Sequence, residues 1–364
     1  MSSSRIALPG ILLPFLHVIL HTLAWGDTSP SVVELKLPWA VDSIDATRDT
    51  SGTLHLAVLQ KGRCLYSARP AAGGEFAGPI AVDPAGPAVQ ANQGDRRPRI
   101  QVSPDGSLWI LWQEHPGMKL LRSQDAGKTW QRISIDLGDV KEIDVPAMGI
   151  GPRGEVVVVW VDPSAPREPD DKFAAHLMIS IAPDGERFGE AHRITSDGAR
   201  ACPCCTPAVA VGPEGQIMVA YRSSRANIKE SALLRSSDGG RTFTGAQLSN
   251  HRWEFIGCPM SGPVIARAGQ EVVVGWTSGE DMYCAWSRDA AASFTPEVRL
   301  GRGHYIAAAA GDRPLLIWDE GRQTGLWPGS SKDPRPRADI RPTGALVADP
   351  RHGFLLLQGA ESHR

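Results

Sequence analysis

Charge of one sign is nowhere concentrated in this sequence: 38 Lys and Arg stand against 40 Asp and Glu, and no long like-charge run occurs. A nucleic-acid partner needs a basic face, so that class of partner is excluded. Tyrosine is scarce, with four in 364 residues, so chemistry built on a tyrosine nucleophile has few candidates. Long apolar runs are confined to the start of the chain, and no later segment is apolar enough to cross a bilayer. The first 26 residues carry Arg5, the apolar run Ile6 to Leu23 and the small-residue exit Ala24-Trp25-Gly26, the layout of a signal peptide. A membrane anchor is the competing reading, because the run is nearly long enough to span. Pro9 and Pro14 inside it favour the signal. Residues 27–364 are then expected as one exported domain, periplasmic or extracellular, in which six cysteines can pair.

What the chain has in quantity is turn residues, 38 Gly and 29 Pro, spread along its length as many short strands require. Self-alignment gives an apolar strand, a Gly turn and a second strand ending in an aromatic. Pro98 to Trp112, Pro146 to Trp160 and Pro207 to Tyr221 share a Pro-to-Gly spacing of eight and a Gly-to-aromatic spacing of six. Ser261 to Trp276 and Tyr305 to Trp318 repeat the unit with small deletions, and Ser43 to Leu59 and Gly344 to Gln358 are weaker copies. A period near about fifty residues fits a four-stranded blade, so the fold is expected to be an all-β propeller. Seven strand pairs favour seven blades over six with an appended hairpin. In the seven-bladed ring Val32 to Pro38 would close the last blade as its outer strand, removing free sheet edges.

Between the third and fourth strands of a blade the sequence carries a recurrent turn. SQDAGKTW (Ser123, Asp125, Gly127, Trp130) and SSDGGRTF (Ser236, Asp238, Gly240, Phe243) resemble the Asp-box, S-x-D-x-G-x-x-W, of the sialidase-like repeat proteins. SRDAAASF keeps Ser287, Asp289 and Phe294 but has Ala291 in the glycine position. The carboxylate can accept turn N–H groups, Gly takes a conformation that other residues resist, and the aromatic packs between blades. Sialidases themselves are similar in having six blades.

Loops on the face opposite these turns are where binding residues are sought. Cys202-Pro203-Cys204-Cys205-Thr206-Pro207 aligns with Cys258-Pro259-Met260-Ser261-Gly262-Pro263 at the start of successive blades. Equivalent positions in neighbouring blades sit side by side, so four thiols and the Met260 thioether are expected to converge at the channel mouth. One reading is a disulfide staple, Cys202 or Cys205 to Cys258. The other is a soft-metal site, for which thiolate and thioether favour copper as Cu(I). Cys64 and Cys284 occupy strand positions that hold Leu120 and Leu233 in other blades, so they are expected as buried single thiols.

The resemblance to sialidases implies three arginines gripping a carboxylate, a tyrosine nucleophile activated by a glutamate, and an aspartic acid. Arg96, Arg97, Arg222, Arg225 and Arg322 can supply a clamp. Tyr221, near Glu230, is the one attractive nucleophile, but it fills the repeat slot of Trp112, Trp160, Trp276 and Trp318, which speaks for packing. The segments ACPCCTP, YRSSRANIKE and HRWEFIGCPMSGP resemble a group of exported bacterial Asp-box proteins that are sialidase-like by fold. Its shared residues here are Cys202, Cys204, Cys205, Tyr221, Arg222, Asn227, Ile228, Cys258, Pro259 and Gly262.

The leading expectation is thus an exported propeller that binds a ligand, such as an acidic glycan, through Arg96, Arg97, Tyr221, Arg222, Asn227 and Trp253. The second is a sialidase-type glycosidase or lyase using Glu114, Asp162, Glu254 or Asp319, with His115 or His304 moving protons. The third is a copper-binding propeller centred on Cys202, Cys204, Cys205, Cys258 and Met260.

Overall fold

Closely spaced turns leave strands that can pair only with their chain neighbours, and the computed structural model shows the outcome, seven separate sheets around one axis. It describes residues 31–359 except 85, 87–96, 115, 165–174, 197–198, 304–305, 321–322, 328–334 and 339–343. The expected leader, 1–26, lies outside the described residues. Six sheets are four-stranded antiparallel meanders in chain order. Their inner strands are Ser43–Arg48, Arg99–Val102, Asp144–Ile150, Ala208–Val211, Val264–Ala268 and Ile306–Ala310, numbered here as blades 1 to 6.

Blade 7 joins the two ends of the chain. Ala345–Asp349 is innermost, Gly353–Gln358 follows, and Val32–Lys36 is the outer strand. This is the closure read from the sequence. The closing strand runs parallel to its partner, with Val33 opposite Leu355 and Leu35 opposite Leu357. A parallel pair cannot be joined by a hairpin, and here almost the whole ring is the connection. Arg48 of blade 1 ion-pairs with the buried Asp349 carboxylate of blade 7, which also accepts the Arg351 and His352 N–H groups at 2.8 and 2.9 Å.

The apolar core is divided among the seams between blades. Trp112, Trp160, Tyr221, Trp276 and Trp318 all lie on second strands, opposite Lys119, Met178, Ala232, Tyr283 and Gly325 of the third strands. Each packs among buried residues of the preceding blade, and none is more than 6 % exposed. The repeated aromatic is therefore the wedge of each seam. The two seams of blade 7 are filled mainly by Leu, Val, Ile and Ala, with Phe354 in one and Phe76, edge-on to Trp39, in the other.

Three turns on one face follow a common hydrogen-bond pattern. Ser123 Oγ donates to Asp125 Oδ1 at 2.8 Å and accepts the Gly127 N–H at 2.9 Å. Asp125 also accepts the Thr129 N–H and Oγ1–H at 2.8 and 2.6 Å. Ser236, Asp238 and Thr242 repeat these contacts, and so do Ser287, Asp289 and Ser293. Ala291 holds its turn at φ +64°, where Gly127 and Gly240 have +86° and +89°. The two glycines are pressed on the preceding blade: a Cβ on Gly127 would stand 2.2 Å from Tyr66 Cε1, and one on Gly240 2.1 Å from Ile181 Cδ1. Trp130, Phe243 and Phe294 pack into the same seams.

Two outcomes follow for stability. Gly127→Ala is expected to cost about 1–3 kcal/mol, from the clash with Tyr66 and the positive φ together, and Trp276→Ala about 3–5 kcal/mol, both read from urea unfolding. Hydrogen bonds from Thr129 and Ser123 hold the Asp125 carboxyl at about 2, and those from Ser293 and Ser287 hold Asp289 at about 2. Depressed folded-state values mean that their contribution is complete above about 4 and is lost as pH falls toward about 2. The gap in unfolding midpoint between the native protein and Asp125→Asn should therefore shrink over that interval and stay level from pH 5 to 7.

Candidate functional site

All seven inner strands wall an axial cavity of about 920 Å3. Ala147, Ala208, Ala307 and Ala345 make much of that wall small and apolar. Two residues break the pattern. Asp45 and Arg99 each stand seven residues before the turn glycine of their blade, the position that Ala147 and Ala208 fill in blades 3 and 4. Blades 1 and 2 thereby bring opposite charges together at the cavity wall, with Arg97 beside them. Asp45 Oδ2 accepts the Ile100 N–H at 2.9 Å. Burial pushes the Asp45 carboxyl up, and the charges of Arg99 and Arg97 and the Ile100 bond only partly offset that rise. Asp45 and Arg99 were not among the residues picked from the sequence. The signal was present, a charge in a repeat slot that blades 3 and 4 fill with alanine.

Of the six residues expected to hold a ligand, Arg97 lines this cavity and Arg96 lies outside the described residues. The others gather around blade 4. Tyr221 is in the seam with blade 3, its hydroxyl pushed up by burial alone, while Glu230 accepts Gln247 Nε2–H at 2.8 Å. Asn227 forms the hairpin tip at φ +63° and its carbonyl accepts the Phe255 N–H at 2.9 Å. Trp253 lies over the Arg222 guanidinium, 5.2 Å from Cζ to ring centre. Arg222 is only 1 % exposed, and its Nε and Nη2 donate to the carbonyls of Ser261 and Thr277 at 2.8 Å. It is turned into the protein because the strand that carries it is clamped between blades. Glu114 ion-pairs with Lys119 at 2.7 Å, and His115 and His304 lie outside the described residues.

The cysteines of blades 4 and 5 do converge. Cys202 Sγ lies 3.2 Å from Cys205 Sγ, 3.6 Å from Cys258 Sγ and 4.0 Å from Cys204 Sγ. The disulfide, however, joins Cys204 to Cys258, with Cα atoms 6.4 Å apart, which corrects the expected Cys202 or Cys205 pairing. Its cause is the tight turn, in which the Cys205 N–H reaches the Cys202 carbonyl. That turn directs Cys202 and Cys205 inward, each 1 % exposed, and leaves Cys204 at the half-buried rim where Cys258 arrives. Met260 is half exposed, lines the cavity, and donates its backbone N–H to Cys258 Sγ at 3.4 Å.

The cluster sits in a positive field. Burial pushes the Cys205 thiol up, but the Cys202 contact, the Arg222 charge and a bond from the Ser261 backbone together bring it below the ordinary thiol value. Cys202 moves up, through that same contact with Cys205 and through burial. The fully buried Lys229 ammonium, bonded to Ser224 Oγ, adds positive potential at Cys202. These surroundings favour the thiolate at Cys205 and keep Cys202 a thiol. Cys64 and Cys284 are buried single thiols on third strands, pushed up by burial, as the repeat position implied.

No family model and no curated protein matches the chain. Among solved structures it is similar to a protein of unknown function from Dyadobacter fermentans, at 14 % identity and TM-score 0.50, covering 82 % of this chain and 93 % of that one. It is also similar to an alpha-L-arabinanase of Penicillium chrysogenum complexed with arabinobiose, at 14 % identity and TM-score 0.50, over 82 % and 92 % of the two chains. A third is the alpha-L-arabinofuranosidase of Fusarium graminearum with arabinobiose, at 13 % identity and TM-score 0.50, over 73 % and 88 %. At this identity the likeness defines the fold, a β-propeller.

Peptide mapping of the native protein should recover Cys204 linked to Cys258. Removing that bond with Cys258→Ser should cost about 2–5 kcal/mol in urea unfolding. Alkylation of the native protein should leave Cys64 and Cys284 unmodified until it unfolds, since buried thiols held well above neutrality do not react.

Proposed function

We propose that this is an exported, sialidase-like Asp-box propeller that holds a carbohydrate in its axial cavity, an acidic sugar whose carboxylate meets Arg97 and Arg99. The observation that carries this reading is the placement of Arg99 and Asp45 in adjacent inner-strand slots that are alanine in blades 3 and 4, with Arg97 at the same wall. A charge at the axis of a propeller adds nothing to seam packing, whereas a guanidinium fork matches a carboxylate in two-point contact. Asp45, its carboxyl raised by burial, suits a sugar hydroxyl. Two of the similar solved propellers were crystallised with arabinobiose, which supports a saccharide as the ligand class. The leader-like residues 1–26 support export. The reading is one of binding, because Tyr221 is committed to a seam and Glu230 to Gln247.

A second reading applies to the neighbouring mouth, a soft-metal site, with copper as the metal. It is favoured by the free thiols of Cys202 and Cys205, 3.2 Å apart, with the disulfide sulfur of Cys258 within 4.8 Å of both. Metal–thiolate bonds of about 2.3 Å let one ion reach sulfurs at that spacing.

Calorimetric titration of the full chain with N-acetylneuraminic acid, galacturonic acid and arabinobiose tests the first reading. An acidic sugar is expected to bind in preference to the neutral one, and Arg97→Ala/Arg99→Ala to weaken it by about tenfold or more, the loss of a charge-assisted pair. Equal binding of the neutral disaccharide, or an unaffected double variant, would sink the carboxylate clamp.

A further inference from the structure

Resting on the soft-metal reading, we propose that Cys202 and Cys205 bind a single Cu(I) ion as a dithiolate, with the buried Arg222 guanidinium as its fixed counter-charge and the Cys204–Cys258 disulfide intact.

Arg222 poses an electrostatic problem that the protein alone leaves open. Its guanidinium is 1 % exposed, and its hydrogen bonds go to neutral oxygens, the carbonyls of Ser261 and Thr277 and the Thr277 hydroxyl. Nη1 is buried with no oxygen partner, the guanidinium acts instead on the Cys205 sulfur, and no carboxylate pairs with Arg222 among the described residues. A buried charge without an opposite charge is costly, so the site calls for an anion. The groups in its field that can become anions are the thiols of Cys205 and Cys202, 3.2 Å apart and equally buried.

Copper binding supplies that anion in balance. Two S–H bonds break, two Cu–S bonds form to Cys202 and Cys205 Sγ, two protons leave to solvent, and no electron changes hands. Cu(I) on two thiolates carries one negative charge, set against the positive field of the buried Arg222 guanidinium and Lys229 ammonium. A divalent ion on the same two thiolates would be neutral and would offset neither cation. Zinc would in addition need two more ligands, and two of the four mouth cysteines are committed to the disulfide. Soft thiolates select Cu(I) by ligand type as well. The Cys258 sulfur, 3.6 Å from Cys202, and the half-exposed Met260 place further soft donors at the mouth.

The test is anaerobic titration of the full chain with Cu(I), presented as its acetonitrile complex, with thiol counting to verify the intact disulfide. One Cu(I) per chain is expected, with a sulfur-only shell in copper X-ray absorption. Uptake should vanish in Cys202→Ser and in Cys205→Ser and persist in Cys64→Ser/Cys284→Ser. Arg222→Met should weaken binding by about 10- to 100-fold, the usual effect of an outer-shell partner, and Arg222→Lys should restore most of it. Excess Zn(II) should not displace the copper; should Arg222→Met fail to fold, Arg222→Gln, which keeps a side-chain donor without the charge, should show the same weakening. Absence of Cu(I) uptake would overturn the soft-metal reading and this inference together. Uptake that is unchanged in Arg222→Met or, failing that variant, in Arg222→Gln would overturn the counter-charge assignment alone and leave the soft-metal reading standing. Ready displacement by zinc would overturn the choice of Cu(I).

Discussion

Closure of the ring is the constraint on which everything else depends. Each blade shields its apolar residues only against the blade on either side, so a seam without its second wall is an exposed hydrophobic face. Pairing Val32–Lys36 with Gly353–Gln358 gives the last blade its outer strand, and its inner strand supplies the final wall to blade 1. The Arg48–Asp349 pair crosses that final seam, with its carboxylate fully buried. Removing Arg48 would leave the carboxylate without its counter-ion, a larger loss than a surface ion pair carries. The axial cavity exists only because seven inner strands are held at a common distance from the axis.

Much of this was legible in the sequence because repetition amplifies weak signals. One Pro-to-Gly spacing is a turn, but three identical spacings ending at Trp112, Trp160 and Tyr221 define a unit. The aromatic at that position reads correctly as a wedge. The seventh blade was legible too, from its strand pair, though not the parallel sense of its outer strand. What pattern could not supply was direction within a turn. In Cys202-Pro203-Cys204-Cys205 the spacing predicts convergence with Cys258 but not which sulfur faces inward, since a single backbone turn decides it. Arg222 misled in a related way. An arginine after a strand-end aromatic reads as a rim residue, and only packing reveals that Ser261 and Thr277 of the next blade draw it inside. Asp45 lies in the degenerate copy of the repeat in blade 1, whereas Arg99 lies in a regular copy, where alignment with Ala147 and Ala208 exposes it as a charge in an alanine slot.

Two chemically different regions share one mouth. Thr206 and Ser261 line the cavity and directly follow Cys205 and Met260 in the chain, so the cysteine turn and the cavity wall are one piece of backbone. Charged groups lie on the side of blades 1 and 2, and sulfur on the side of blades 4 and 5. A ligand entering the axis passes both. The loop that carries Cys258 also exposes Phe255 and Ile256, at 37 % and 79 %, so the sulfur side is bordered by apolar surface while the opposite side is polar.

The Cys204–Cys258 bond has a consequence for the covalent layout of the chain. It closes a loop over a sequence separation of 54 residues, and all four strands of blade 4, from Ala208 to Gln247, lie inside it. Blade 4 is thus a macrocycle threaded into an otherwise linear ring. Cleavage of any one of its surface turns by a protease would leave a single covalent molecule, whereas the same cut in another blade would yield two fragments. Limited proteolysis run with and without reductant would read that difference directly as one band or two.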